Sequence, residues 1–168
     1  DLPGVEIVEP VRKIKINDYA FNDTFYDQMW GLNNLNKPKY DINVIPVWEN
    51  YTTGNPDVIV SVVDNGVEIK HEDLADNCLK SGHYNSVDGT SAIYPGDHGT
   101  HVAGTIAAVG NNGKGVVGIA GGDAKKGQKG VKILSCQIFK QLSDGSTANG
   151  NSAAAIKWGA DHGAVISQ

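Results

Sequence analysis

The chain has 168 residues, a length that suits one domain with a sizeable core. Charged residues make up 20% and apolar residues 40%, which is a folded rather than a disordered composition, and a net charge of -5 with no basic stripe argues against nucleic acid. No apolar run approaches the ~20 residues of a membrane span, and Cys78 and Cys136 lack the CxxC spacing of zinc and redox motifs.

Residues 1–57 read as irregular and rich in Asn, Asp, Pro and Tyr. The pattern then sharpens. Residues 58–63, VIVSVV, are β-branched and nearly continuous, as expected of a strand buried on both faces, and they stop at the turn signal Asp64-Asn65-Gly66. Residues 98–109 have helical spacing with small side chains, and GNNGKG at 110–115 reads as a loop. Residues 131–139 form a second apolar strand, with Cys136 expected to be buried in it. Residues 148–162 read as a helix with Ile156 and Trp158 on or near its buried side and Gly163 as its C-cap, and 164–167 start a third strand. Strand, helix, strand, helix, strand is the order of a parallel α/β sheet with right-handed crossovers.

Ligands of open α/β sheets bind beyond the carboxyl ends of the strands, where Asp64 is expected. Asp64 could simply form the turn. The stretch DHGTHVAG at 97–104 holds two histidines, His98 and His101, and admits three readings. They could share a helix face as metal ligands, but no third ligand stands at a zincin spacing. They could be ordinary helix N-terminal residues. His98 could be a catalytic base, with Asp64 as the carboxylate that fixes its tautomer and stabilises the imidazolium.

VVDNGVEIKHEDL at 62–74, DHGTHVAGTIAA at 97–108 and GVVGIAGG at 115–122 together strongly resemble the subtilisin-like serine proteases, over roughly residues 17 to 168. The resemblance implies a three-layer α/β fold with a parallel central sheet, of which this chain carries the N-terminal half. It implies a serine endopeptidase acting on proteins or peptides, with Asp64 as the orienting carboxylate and His98 as the general base, and His101 as a structural second histidine. Asn65 stands where the family more often has Ser or Thr and where its kexin-like branch has an Asp lining the S2 pocket. A dibasic preference is therefore in question. Gly145, Ser146 and Thr147 match the edge strand that pairs with substrate backbone on the S4 side.

The resemblance further implies structural calcium. In the thermitase-like and kexin-like branches a loop like 109–116 wraps the ion with backbone carbonyls and an Asn side chain. Here that gives the carbonyls of Val109, Lys114 and Val116 and the side chain of Asn112, with Asn111 as the alternative. Asp73 in HEDL and Asp23 in NDTFYDQMWGL complete the set, six oxygen donors suited to a hard cation. The lead LPGVEIVEPV resembles the end of an inhibitor-type propeptide, so residues 1–21 are expected to be an N-terminal arm or propeptide remnant, with 22–168 the half-domain. Such a protease would be secreted, or act at the cell surface or in the periplasm.

The family's nucleophile sits in a GTSMA-type motif, and none is present. Ser143, Ser146, Ser152 and Ser167 lack that context, and neither the oxyanion asparagine nor the strand bordering S1 is found. A strand of about four residues at 164–167 is short for a sheet centre. The expectation is a second polypeptide that resumes after Gln168 and brings the Ser and the oxyanion Asn. The competing function is a catalytically inactive member of the fold that binds peptides along its edge strand. A metal-dependent hydrolase using His98 and His101 is a third.

Overall fold

The computed structural model describes residues 20–34, 37 and 40–168. Of the expected N-terminal arm, residues 1–19 lie outside them. The central sheet has four parallel strands in the order β2, β5, β1, β8: β1 is Ile59–Asp64, β2 Tyr84–Asn85, β5 Lys132–Gln137 and β8 Ala164–Ser167. Between β2 and β5 run helix α2 (Asp97–Ala107) and a small antiparallel ribbon, β3 (Gly122–Asp123) with β4 (Gln128–Lys129). A hairpin of β6 (Phe139–Gln141) and β7 (Thr147–Asn149) follows β5, and helix α3 (Ser152–Asp161) returns the chain to β8.

The alternation of side chains on β1 and β5 makes three layers. Val60, Val62 and Ile133 meet Ala103 and Ala107 of α2 on one face. Leu134 and Cys136 meet Ala155 of α3 on the other, with Ile59 and Val63 beside them. The small residues of the helices let them lie close to the sheet. Gly159 of α3 sits directly over Ser61, where an added Cβ would fall 2.7 Å from the Ser61 hydroxyl.

The expected strands and helices are found with shifted boundaries. The apolar run 131–139 breaks at Ile138, because the chain leaves the sheet there and starts the hairpin. The helix expected from Ala148 begins at Ser152. Residues 147–149 pair with β6 instead, and Asn151 caps the helix by accepting the N–H of Ala154 at 3.0 Å. Ile156 is half exposed, and the buried positions of α3 are Ala155 and Gly159. Trp158 is partly buried, stacked between Tyr84 and His162. Gly163, at φ +86, closes the helix in the left-handed conformation a C-cap requires. The segment read as irregular contains helix α1 (Ile45–Asn50). With Phe21, Tyr26, Leu32 and Val44 it builds a second cluster around Trp48, whose indole N–H donates to the Ile119 carbonyl at 2.8 Å.

Cys78 and Cys136 are free and buried in different clusters, on opposite faces of the sheet, and burial pushes both thiols up to about 11. They are inert core residues.

His83, the residue before β2, is buried beside β5. Its Nε2–H donates to the Leu79 carbonyl at 3.0 Å, while Nδ1 accepts the N–H of Ser135 in β5 at 3.0 Å. Burial holds this imidazole below its usual 6.5, outweighing the bond to Leu79. The unfolded chain takes up a proton below about pH 6.5 while the folded chain does not. The stability His83 provides is therefore complete above that pH and is lost as pH falls toward the depressed folded value. Denaturant titrations of the complete protein from pH 7.5 to 5.0 should show a falling free energy, and His83→Gln should flatten that slope. An equal slope in the variant would assign it to other groups.

Candidate active site

Asp64 is the last residue of β1, and Asn65-Gly66 turns the chain away. Gly66, at φ +102, is required there: an added Cβ would fall 2.4 Å from the Tyr94 carbonyl. His98 is the second residue of α2, and the segment leading into that helix crosses the carboxyl end of the sheet. The carboxylate of Asp64 accepts from His98 Nδ1 at 2.7 Å through Oδ2 and from the N–H of Asn65 at 2.6 Å through Oδ1.

A carboxylate can only accept, so Nδ1 carries the proton and the neutral ring keeps its lone pair on Nε2. The Asp64 side chain is 13% exposed and that of His98 73%. Among the described residues, Nε2 has no protein partner and faces the open side. A base with one nitrogen oriented by a carboxylate and the other directed outward can take a proton from a nucleophile placed against it. Ser146, in the β6–β7 turn, gives its hydroxyl to Asp144 at 2.6 Å rather than to His98. His98 and His101 lie on one helix, but Nδ1 of His98 is committed to Asp64. Among the described residues, no three His, Cys, Asp or Glu side chains converge as metal ligands.

Two residues support this pair in ways the motifs did not reveal. Gln137, fully buried at the end of β5 and level with Asp64 in the register, holds both flanking loops. Its Oε1 accepts the Tyr94 N–H at 2.9 Å, and its Nε2 lies 2.8–3.1 Å from the carbonyls of Asn65, Tyr94 and Phe139. The one sequence signal was a long polar side chain within an apolar run. Asn65, expected along the cleft near S2, directs its side-chain oxygen to α2, where it accepts the N–H of Gly99 at 2.8 Å.

The loop expected to bind calcium also gathers. Asp23 and Asp73 are 5% and 2% exposed and face the same turn. Asp23 accepts the N–H of Asn111 at 2.7 Å and that of Asn112 at 3.3 Å. Asp73 accepts the N–H of Val116 at 2.9 Å and the Asn112 side-chain amide at 2.6 Å. Asn111 turns its amide to Asp123 at 2.9 Å, while Asn112 gives its amide N–H to Asp73 and accepts the Lys114 N–H at 2.8 Å through Oδ1. Burial pushes the Asp23 carboxyl above its usual range, and the charge of Asp73 adds to this against the hydrogen bonds from Asn111 and Asn112. No basic side chain pairs with either carboxylate among the described residues. Nor does any N–H there donate to the carbonyls of Val109, Lys114 or Val116. Two buried like charges beside uncommitted carbonyls are a donor set that fits a hard cation.

Gly145 and Ser146 lie in the exposed turn of the β6–β7 hairpin, with Gly145 at φ +82, and Thr147 begins β7. The hairpin is a separate two-stranded sheet, so pairing to β6 uses only one edge of β7.

The sequence pattern of the subtilase family matches residues 55–168. The mouse protein "Proprotein convertase subtilisin/kexin type 7" is 46% identical over 121 residues, 68% of this chain and 15% of its own length. Fervidolysin of Fervidobacterium pennivorans is 35% identical over 170 residues, covering 93% of this chain and 21% of that protein. Its crystal structure, described as that of a keratinolytic enzyme related to subtilisin, superimposes with a TM-score of 0.59 at 31% identity, over 87% of this chain and 20% of that one. The chain thus spans about a fifth or less of the length of these relatives.

Proposed function

The chain belongs to the subtilase family, and on that premise we propose that it supplies the Asp and His of a serine endopeptidase whose nucleophile and oxyanion asparagine come from further polypeptide. The observation that carries this reading is the 2.7 Å bond from His98 Nδ1 to Asp64 Oδ2 with Nε2 left open. In the reaction a serine Oγ attacks the scissile carbonyl carbon and its proton passes to His98 Nε2. The imidazolium, stabilised by Asp64, then gives that proton to the leaving amine. Water, deprotonated by the same nitrogen, hydrolyses the acyl-enzyme.

β8 lies at the edge of the central sheet with Val165 and Ile166 72% and 52% exposed. A strand at a sheet edge with such side chains invites pairing and cover. Asp23, Asp73, Asn112 and the carbonyls of Val109, Lys114 and Val116 would hold a structural calcium ion, which would neutralise the buried carboxylates and pin the N-terminal segment to the loop after α2. Gly145, Ser146 and Thr147 would pair with the backbone of a protein or peptide substrate along the free edge of β7. A secreted, cell-surface or periplasmic protease fits this family, and a propeptide remnant would fall within residues 1–21.

The test uses the 168-residue chain co-expressed with the polypeptide that completes the domain, in calcium. The pair should hydrolyse an unfolded protein and be labelled by a serine-directed phosphonate on the second polypeptide. The chain alone should be poorly folded and do neither. Peptide binding without hydrolysis or labelling by the assembled pair would instead support the inactive peptide-binding member of the fold.

A further inference from the structure

Helix α2 has no side-chain cap of its own. Its N-cap position is Gly96, which carries no side chain to accept a helix N–H. The missing acceptor comes from another element: Asn65 Oδ1 takes the N–H of Gly99, the third residue of the helix, at 2.8 Å. That is the bond an ordinary N-cap side chain makes. The backbone N–H of Asn65 donates to Asp64 Oδ1 at 2.6 Å, and Asp64 Oδ2 holds His98 at 2.7 Å. Residues 64, 65, 98 and 99 therefore close a ring of three hydrogen bonds, with Asn65 the only side chain in it besides the reacting pair.

The surroundings are shaped to this side chain. A Cβ at position 96 would fall 2.3 Å from Asn65 Cγ, and one at position 99 would fall 3.0 Å from Asn65 Oδ1. Both neighbours are glycine. A Ser or Thr at 65 would carry its oxygen one bond nearer the backbone and leave the Gly99 N–H short of an acceptor. Asp has the same reach but adds a charge.

We propose that Asn65 is a positioning residue for the reaction, capping α2 from the end of β1 so that His98 Nδ1 is held on Asp64. This rests on the reading of His98 as the general base and adds the means by which its geometry is kept. The Asn65 side chain makes no hydrogen bond to Asp64 or His98. Its effect runs through the placement of the imidazole, where a displacement of about 1 Å costs on the order of 10²-fold in rate.

The test compares Asn65→Ala, Asn65→Ser and Asn65→Asp in the complete protease, with active sites titrated so that kcat refers to folded molecules. Asn65→Ala and Asn65→Ser should lower kcat by about 10- to 100-fold with little change in KM. Both should lose or broaden the low-field proton resonance of His98 Nδ1. Asn65→Asp keeps the acceptor and should restore the resonance and most of kcat. Its added carboxylate favours the imidazolium, so the acid limb of kcat/KM should move to higher pH. If Asn65→Ala fails to fold, the Ser and Asp variants carry the comparison. An unchanged kcat in the variants lacking the acceptor overturns the proposal, as does a lowered kcat with an unchanged resonance. A parent protease with no peptidase activity would fail the reading of His98 instead, and the resonance would still report whether Asn65 holds the ring.

Discussion

His98→Ala in the assembled protease should lower kcat by about 10⁴- to 10⁶-fold with a much smaller change in KM. The residue is exposed on the side of Nε2, so its removal leaves the fold intact and takes away the base. Asp64→Asn should cost about 10⁴-fold for a different reason. The N–H of Asn65 already donates to Asp64 Oδ1, so an amide at position 64 would keep its oxygen there and turn its NH₂ toward His98. Nδ1 would then have to accept, and the proton would move to Nε2, where the lone pair is needed. Because the two groups act as a unit, the double variant should be no slower than His98→Ala by more than a few fold. Steady-state kinetics on a peptide substrate check all three, and near-normal turnover in His98→Ala would remove it from the mechanism.

The second large effect concerns calcium. An ion that binds only the folded chain stabilises it by about 4 kcal/mol at a concentration a thousandfold above its dissociation constant. The melting temperature of the complete protein should therefore climb steadily from EDTA to millimolar calcium. Magnesium, which prefers a tighter octahedral shell and sheds water reluctantly, should do much less. Asp73→Asn should abolish most of the calcium response, since Asp73 is 2% exposed and faces Asp23 across the loop. The same melting temperature in EDTA and in calcium would dismiss the site. So would a response undiminished in Asp73→Asn.

Some of this was legible from residue order alone, because it depends on short-range rules. A β-branched run ending in Asp-Asn-Gly reads as a buried strand and a turn, and the period of 98–109 reads as a helix. The alternation of the two element types implies a parallel sheet with Asp64 at its carboxyl end. HGTH by itself did not separate a base from a ligand or a packing residue. The neighbouring motifs supplied that, and the 2.7 Å bond gives it geometry. The tertiary structure decided what depends on distant segments meeting. Residues 148 and 149 became part of a strand because β6 lay beside them, overriding a helical pattern. Gln137 became the brace of two loops because the register set it level with Asp64. The side-chain amide of Asn112 went to Asp73 and that of Asn111 to Asp123, 12 residues beyond it. Asn65 shows the division most sharply. Its sequence neighbours identify a turn residue beside Asp64, but the N–H it accepts belongs to Gly99, 34 positions away, and no local pattern records which helix end lacks a cap of its own.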